Sequence, residues 1–121
     1  MGLIMAEVIE QLAGNLGITV RTQSGLRLVP LQDCGKIVQA CKSNRILILG
    51  IEAFRLSEQN VVPDSDWIAD FSELASKRWD TACLDAASSA EIYFDKAKDR
   101  TDLWFDFTLK LRGEEQRGVT S

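Results

Sequence analysis

The 121-residue chain contains no histidine. That absence removes the commonest general base, the commonest zinc ligand and every Ser-His or Cys-His arrangement at once. Basic charge is also in short supply. Fourteen Lys and Arg stand against eighteen Asp and Glu, a formal net charge of −4. A sequence-independent grip on nucleic acid needs clustered cations to displace counterions, so direct nucleic-acid binding is disfavoured. The same shortage argues against a polybasic membrane anchor. Long apolar runs are missing, the longest being Ile46 to Ile51, far too short to span a bilayer. The segment from Met1 to Leu16 carries Glu7 and Glu10 and lacks the basic start of a secretion signal. Three cysteines, Cys34, Cys41 and Cys83, form no disulfide framework, which fits a cytoplasmic location. There is no internal repeat and no low-complexity stretch.

What is present is the balance of a folded domain: 45% hydrophobic and 26% charged residues. The length suits one core rather than two. Residues 1–112 read as a single domain, and the polar stretch 113–121 as a frayed tail. Leu3, Ile4, Val8, Leu12 and Leu16 recur at helical spacing and predict a helix over 3–15, ended by Gly14 and Gly17. The β-branched run Ile18 to Thr22, the turn Gln23-Ser24-Gly25 and the segment Leu26 to Leu31 predict a hairpin. Pro30 makes the second strand an edge or an end. Asp33 is positioned to cap a helix over 34–43, with Ile37, Val38 and Cys41 inward. Cys34 and Cys41, two turns apart, read as small buried hydrophobes; a reactive thiol would need a cation such as Lys36 or Lys42 beside it.

The run Ile46 to Leu49 predicts a buried strand that continues to Leu56, turns over residues 57–60 and returns through Val61-Val62 to end at Pro63. Gly50 inside it marks a bulge or a close backbone approach. Asp70 and Glu73 have capping-box spacing and predict one long helix over 73–97, with Ser88-Ser89 as its weak point. Leu103, Phe105, Phe107, Leu109 and Leu111 alternate with Trp104, Asp106, Thr108 and Lys110, the pattern of a half-exposed strand. The order α-ββ-α-ββ-α-β predicts an α+β fold, a mostly antiparallel sheet with about three helices on one face.

Chemistry-bearing constellations are few. Asp64-Ser65-Asp66 suggests a cation loop, but the sixth and twelfth positions are Ala69 and Ala75 where a calcium loop needs Gly and Glu. No acid downstream of Pro63-Asp64 is followed at the second position by lysine, so a metal-dependent nuclease pattern is absent. Gly14 and Gly17 do not form a phosphate loop. The expectation is no catalytic residue, no metal and no cofactor.

Charge placement is more informative. Residues 1–51 hold five basic and three acidic side chains, net +2; residues 52–106 hold six and thirteen, net −7; residues 107–121 hold three and two, net +1. An acidic surface of this kind meets a basic partner, or it simply keeps a helix solvated. Charge and expected exposure select Glu58, Asp64, Asp66, Asp95, Asp99 and Asp102 as partner-binding residues, with Trp67, in the loop before the long helix, as an aromatic anchor. Trp79 reads as core, and Trp104 as core or interface.

Three stretches carry a resemblance: Ile46 to Phe54, Pro63 to Ser72, and Trp104-Phe105-Asp106-Phe107. Together, over about residues 45 to 111, they resemble small immunity proteins of bacterial toxin systems, of the colicin type and of contact-dependent growth inhibition. The resemblance implies a cytoplasmic protein of bacterial competition that binds a cognate toxin and blocks it without catalysis. The toxin would be a protein with a basic cleft, a nuclease for example. The motifs that carry the resemblance build the fold, so it transfers no recognition residue. A regulatory or adaptor module that binds another protein is the alternative, and a small carboxylate- or Cys-dependent enzyme a further one.

Overall fold

Ser24 and Gly25 have φ of 53° and 79°, the consecutive left-handed residues that close a two-residue hairpin and match the twist of its strands. They join β1 (Arg21–Gln23) to β2 (Leu26–Pro30), with Arg21 opposite Leu28. Before this hairpin runs α1 (Met5–Leu16), in a computed structural model that describes residues 5–113. After it come α2 (Leu31–Ser43), β3 (Leu47–Leu56), β4 (Val61–Asp70), a 3-10 turn (Ser72–Ser76), α3 (Trp79–Lys96) and β5 (Leu103–Lys110). The strands form one antiparallel sheet in the order β1-β2-β5-β3-β4. The protein is an α+β domain, and the element order read from the sequence holds.

The last strand acts as the spine. β5 lies between β2 and β3, and its alternation sends Leu103, Phe105, Phe107 and Leu109 into the core. The three helices cover that face. Val8, Ile9, Leu12 and Ala13 of α1, Cys34, Ile37, Val38 and Cys41 of α2, and Trp79, Ala82, Cys83, Ala86, Ala87 and Ala90 of α3 share one cluster with it. The alanines of α3 are small enough to bring it close to α2 and β3. This packing carries the helix without interruption through Ser88 and Ser89, the weak point of the sequence. Phe94 and Tyr93 meet Phe105 edge-on, at centroid separations of 5.1 and 6.0 Å.

Several local expectations change. Asp33 does not cap α2; the helix begins three residues earlier than expected, at Leu31, with Pro30 as N-cap at φ −70°. Proline is already shaped for that position, and Asp33 instead sits in the first turn, where its charge suits the positive helix end. Pro63 does not end the return strand. β4 continues to Asp70, because an edge strand has one side without a neighbour and there a missing N–H breaks no ladder. Its pairing with β3 is interrupted: Ala53 faces Asp64 but Ile51 faces Ala69, so residues 65–68 bulge against Glu52. The helix expected over 73–97 is two pieces. Asp70 accepts the Ser72 N–H at 2.9 Å, an Asx turn rather than a helix cap. The chain then makes the short 3-10 turn, extends at Arg78 and restarts at Trp79. That bend lets Leu74, Ala75 and Trp79 all pack inward, and the Trp79 indole donates to the Arg45 carbonyl at 2.8 Å.

Gly50 fulfils its expectation. The ladder to β5 shifts between Ile48 and Gly50, and a Cβ at Gly50 would stand 3.0 Å from the Ala69 carbonyl oxygen. The expected tail falls outside the described residues except for Gly113. No helix among the described residues is long and apolar enough to cross a membrane.

Candidate partner-binding surfaces

The β3–β4 turn and the loop between α3 and β5 lie at the same end of the sheet, since Leu103 pairs with Arg55 at the far end of β3. The expected binding acids collect there, but the fold brings arginines with them. Arg100 holds Asp102 through two hydrogen bonds, Nε to Oδ1 at 3.0 Å and Nη2 to Oδ2 at 2.9 Å. Arg100 Nη2 also reaches Asp64 Oδ2 at 3.4 Å, and Arg55 stands 4.0 Å from the same oxygen. The hydrogen bonds from Arg100 hold the Asp102 carboxyl below its usual range. The Asp64 side chain is only 13% exposed and accepts the Asp66 N–H at 3.2 Å. Asp64 and Asp102 therefore organise this end rather than offer free charge. Glu58 in the turn, Asp66 on β4, Asp95 in the last turn of α3 and Asp99 in the following loop are exposed.

Trp67 is neither in a loop nor a free anchor. It lies on β4, half-buried against the core, with its ring edge-on to Tyr93 at 5.6 Å. The Tyr93 hydroxyl donates to the Trp67 carbonyl at 2.6 Å. Burial pushes the Tyr93 hydroxyl pKa upward, so it stays a donor at neutral pH.

The cysteines are core residues, as their spacing predicts. All three are buried. Burial pushes Cys34 far up and Cys41 up to about 12, so neither forms a nucleophilic thiolate near neutral pH. Cys34 Sγ points at the Pro30 carbonyl, 3.4 Å away.

A second surface emerges from the strand register. Among the described residues no helix lies on the sheet face opposite the core. Glu52 and Asp106 face each other there across β3 and β5, and Phe54 faces Trp104 one pair further on. Pro30 flanks Trp104 from β2. Leu28 and Phe54 are 0% and 7% exposed yet belong to no part of the helix-covered core. They form a thin apolar layer with the half-buried Trp104 on the outer side. Arg21, opposite Leu28, carries its guanidinium over the Trp104 ring at 5.7 Å from the centroid.

The two carboxylates on this face are not neutralised. Among the described residues neither Glu52 nor Asp106 makes an ion pair or a side-chain hydrogen bond. Directly opposed carboxylates repel. Burial first, and Glu52 second, push the Asp106 carboxyl from 3.8 up to about 6. Asp106 was legible as an outward residue from the β5 alternation. Glu52, Arg21, Leu28 and Phe54 were not, because only the register across three strands brings them together.

Among the described residues there is no group of three or more potential metal ligands close enough to hold an ion. A groove of about 570 Å³ lies between α2 and the end of α3, lined mainly by Leu31, Phe94, Leu103 and Trp104, with Lys98 at its side. No family model matches the sequence, and comparisons with curated proteins and with solved structures give no significant match.

Proposed function

We propose that this chain is an immunity protein, a non-catalytic inhibitor that binds and neutralises a cognate bacterial toxin domain carrying a basic cleft, such as a nuclease. One observation carries the reading. A sheet face uncovered by any described helix sets the half-buried Trp104 on a packed layer of Leu28 and Phe54, beside two carboxylates, Glu52 and Asp106, that make no ion pair among the described residues. A part-exposed tryptophan is a residue type enriched at interface cores, and carboxylates beside it supply complementary charge for a basic partner. The rigid strands under it hold the shape without ordering costs on binding. The exposed acids Glu58, Asp66, Asp95 and Asp99, elsewhere on the surface, add negative charge that steers a basic partner. The burial of all three cysteines, with Cys34 and Cys41 held protonated, weighs against the cysteine-dependent enzyme.

The test is affinity capture from the source cells at low and at high salt, followed by expression of the captured partner alone and with this chain. The expected result is one dominant partner that arrests growth alone, is neutralised by co-expression, and is released by salt as its charge contacts are screened. A spread of unrelated partners, or a partner without toxicity, overturns the reading in favour of an adaptor.

A further inference from the structure

We infer that the cleft between the start of α2 and the end of α3 is a binding site for a small amphipathic monoanion, an apolar chain carrying one carboxylate, such as a medium-chain fatty acid. The inference goes beyond the inhibitor reading and does not rest on it.

The cleft is concave and apolar. Its volume of about 570 Å³ lies within the range of roughly 300–1,000 Å³ that small-molecule sites occupy. Pro30, Leu31 and Phe94 line it, and all three are half-buried, so each keeps surface to offer. The fold holds these residues in place. Pro30 and Leu31 stand where β2 passes directly into α2. Phe94 is packed from the core side by Phe105, at 5.1 Å between ring centroids, and by Phe107, at 5.7 Å. A preformed apolar wall costs little ordering when a ligand binds.

Gly35 is an independent observation. It stands inside α2, where glycine weakens a helix. Its φ is not positive, and a Cβ there would meet nothing within 4 Å. Neither a turn nor close packing within the chain therefore requires glycine. What glycine does there is keep the cleft open. Gly35 lines both this cleft and the adjoining groove toward Gln39. Side chains on a helix lean toward its N-terminus, so a side chain at this position would lie over Leu31 and narrow the cleft.

Charge selects the sign of the ligand. Lys98 is the one charged side chain lining the cleft, and among the described residues it makes no ion pair. Gln32 and Thr101, both exposed, add neutral donors. The start of α2 has no side-chain cap, which also favours an anion over a cation there. The nearby acids are engaged or lie in the adjoining groove. Asp33 stands 3.9 Å from Lys36, Glu91 accepts from Gln39 at 2.7 Å, and Asp95 lines the groove toward Gln39. One cation beside an apolar wall matches a single carboxylate on an apolar chain, not a polyphosphate.

The probe is sodium decanoate, added below its micelle-forming concentration to isotope-labelled full-length protein at neutral pH and read by amide NMR shifts. The control is decanamide, the same chain with a neutral head. We expect saturable shifts centred on Leu31, Gln32, Gly35, Phe94 and Thr101. The Kd should be about fivefold weaker or more for decanamide, and likewise for decanoate with Lys98→Gln, since each removes one side of the charge pair. Gly35→Leu should keep at least the parent's thermal stability, because leucine favours a helix, and should bind decanoate about tenfold more weakly or worse. Lys42→Gln, at the other end of α2, should stay within about twofold of the parent. Equal binding of decanamide overturns the anionic head. No saturable shift, shifts centred elsewhere, or parent-like binding by a folded Gly35→Leu overturns the site. Concentration-dependent shifts at these residues without ligand overturn it in favour of contact between two copies. Tighter binding of an acetylated Ala-Leu-Phe peptide with a free carboxylate overturns it in favour of a protein terminus.

Discussion

Replacing Asp106 by Asn should stabilise the protein at neutral pH, and the gain should vanish in acid. Asp106 is partly buried opposite Glu52, and its carboxyl is raised from 3.8 to about 6. For an acid with a raised folded-state pKa, the folded protein carries the full cost of ionisation above that value. The cost falls away as pH drops through about 6, and it is gone below the unfolded value near 4. A displacement of that size corresponds to about 3 kcal/mol if nothing screens it. The group is only partly withdrawn from water, which screens the interaction, so we expect about 1 kcal/mol. The assay is urea unfolding of D106N and of the parent at pH 7.5, 6.0 and 4.5. D106N should be about 1 kcal/mol more stable at pH 7.5, equivalent to about 4 °C in Tm for a domain of this size, with the difference shrinking toward zero by pH 4.5. E52Q should move the parent's transition to lower pH, because it removes the second cause. Parallel stability curves for D106N and the parent across this range would refute the reasoning.

Leu28→Ala should cost about 2–4 kcal/mol in denaturant unfolding, although no described helix covers its face, because the side chain is fully buried. A loss under 1 kcal/mol would mean that the outer layer is not packed. Gly50→Ala should cost about 1–2 kcal/mol, since its Cβ would meet the Ala69 carbonyl oxygen at 3.0 Å and neither backbone can yield cheaply; amide exchange should quicken along β4 before it does in β5. The three cysteines should react with a thiol reagent only on unfolding, because they are buried and Cys41 is raised to about 12. A thiol that reacts at the rate of a free cysteine in the native protein would contradict this.

The strongly periodic segments were legible residue by residue. The period of two over residues 103–111 assigned β5 and its inner face, and the Gln23-Ser24-Gly25 stretch assigned the hairpin turn, which the structure narrows to Ser24-Gly25. Local rules failed where tertiary packing competed with them. Asp33 lost the cap of α2 to a proline whose φ was already suitable, and the Asp70–Glu73 box was spent on an Asx turn so that Trp79 could reach the Arg45 carbonyl. Pro63 reads as a terminator unless the strand is known to be an edge, and strand order is not written in local sequence.

The same division separates the two candidate surfaces. Sequence alone determined that the middle of the chain is acidic, that Trp104 and Asp106 share a strand face, and that the fold is α+β with an antiparallel sheet. Composition and periodicity are local properties, and these conclusions need nothing more. Only the tertiary structure decided which charges stay free. It brought Arg55 and Arg100, 9 and 36 positions away along the chain, to Asp64, and among the described residues it set Glu52 opposite Asp106 with no ion pair to either. Net charge adds along a sequence, but pairing depends on distance, and distance is fixed by strand register.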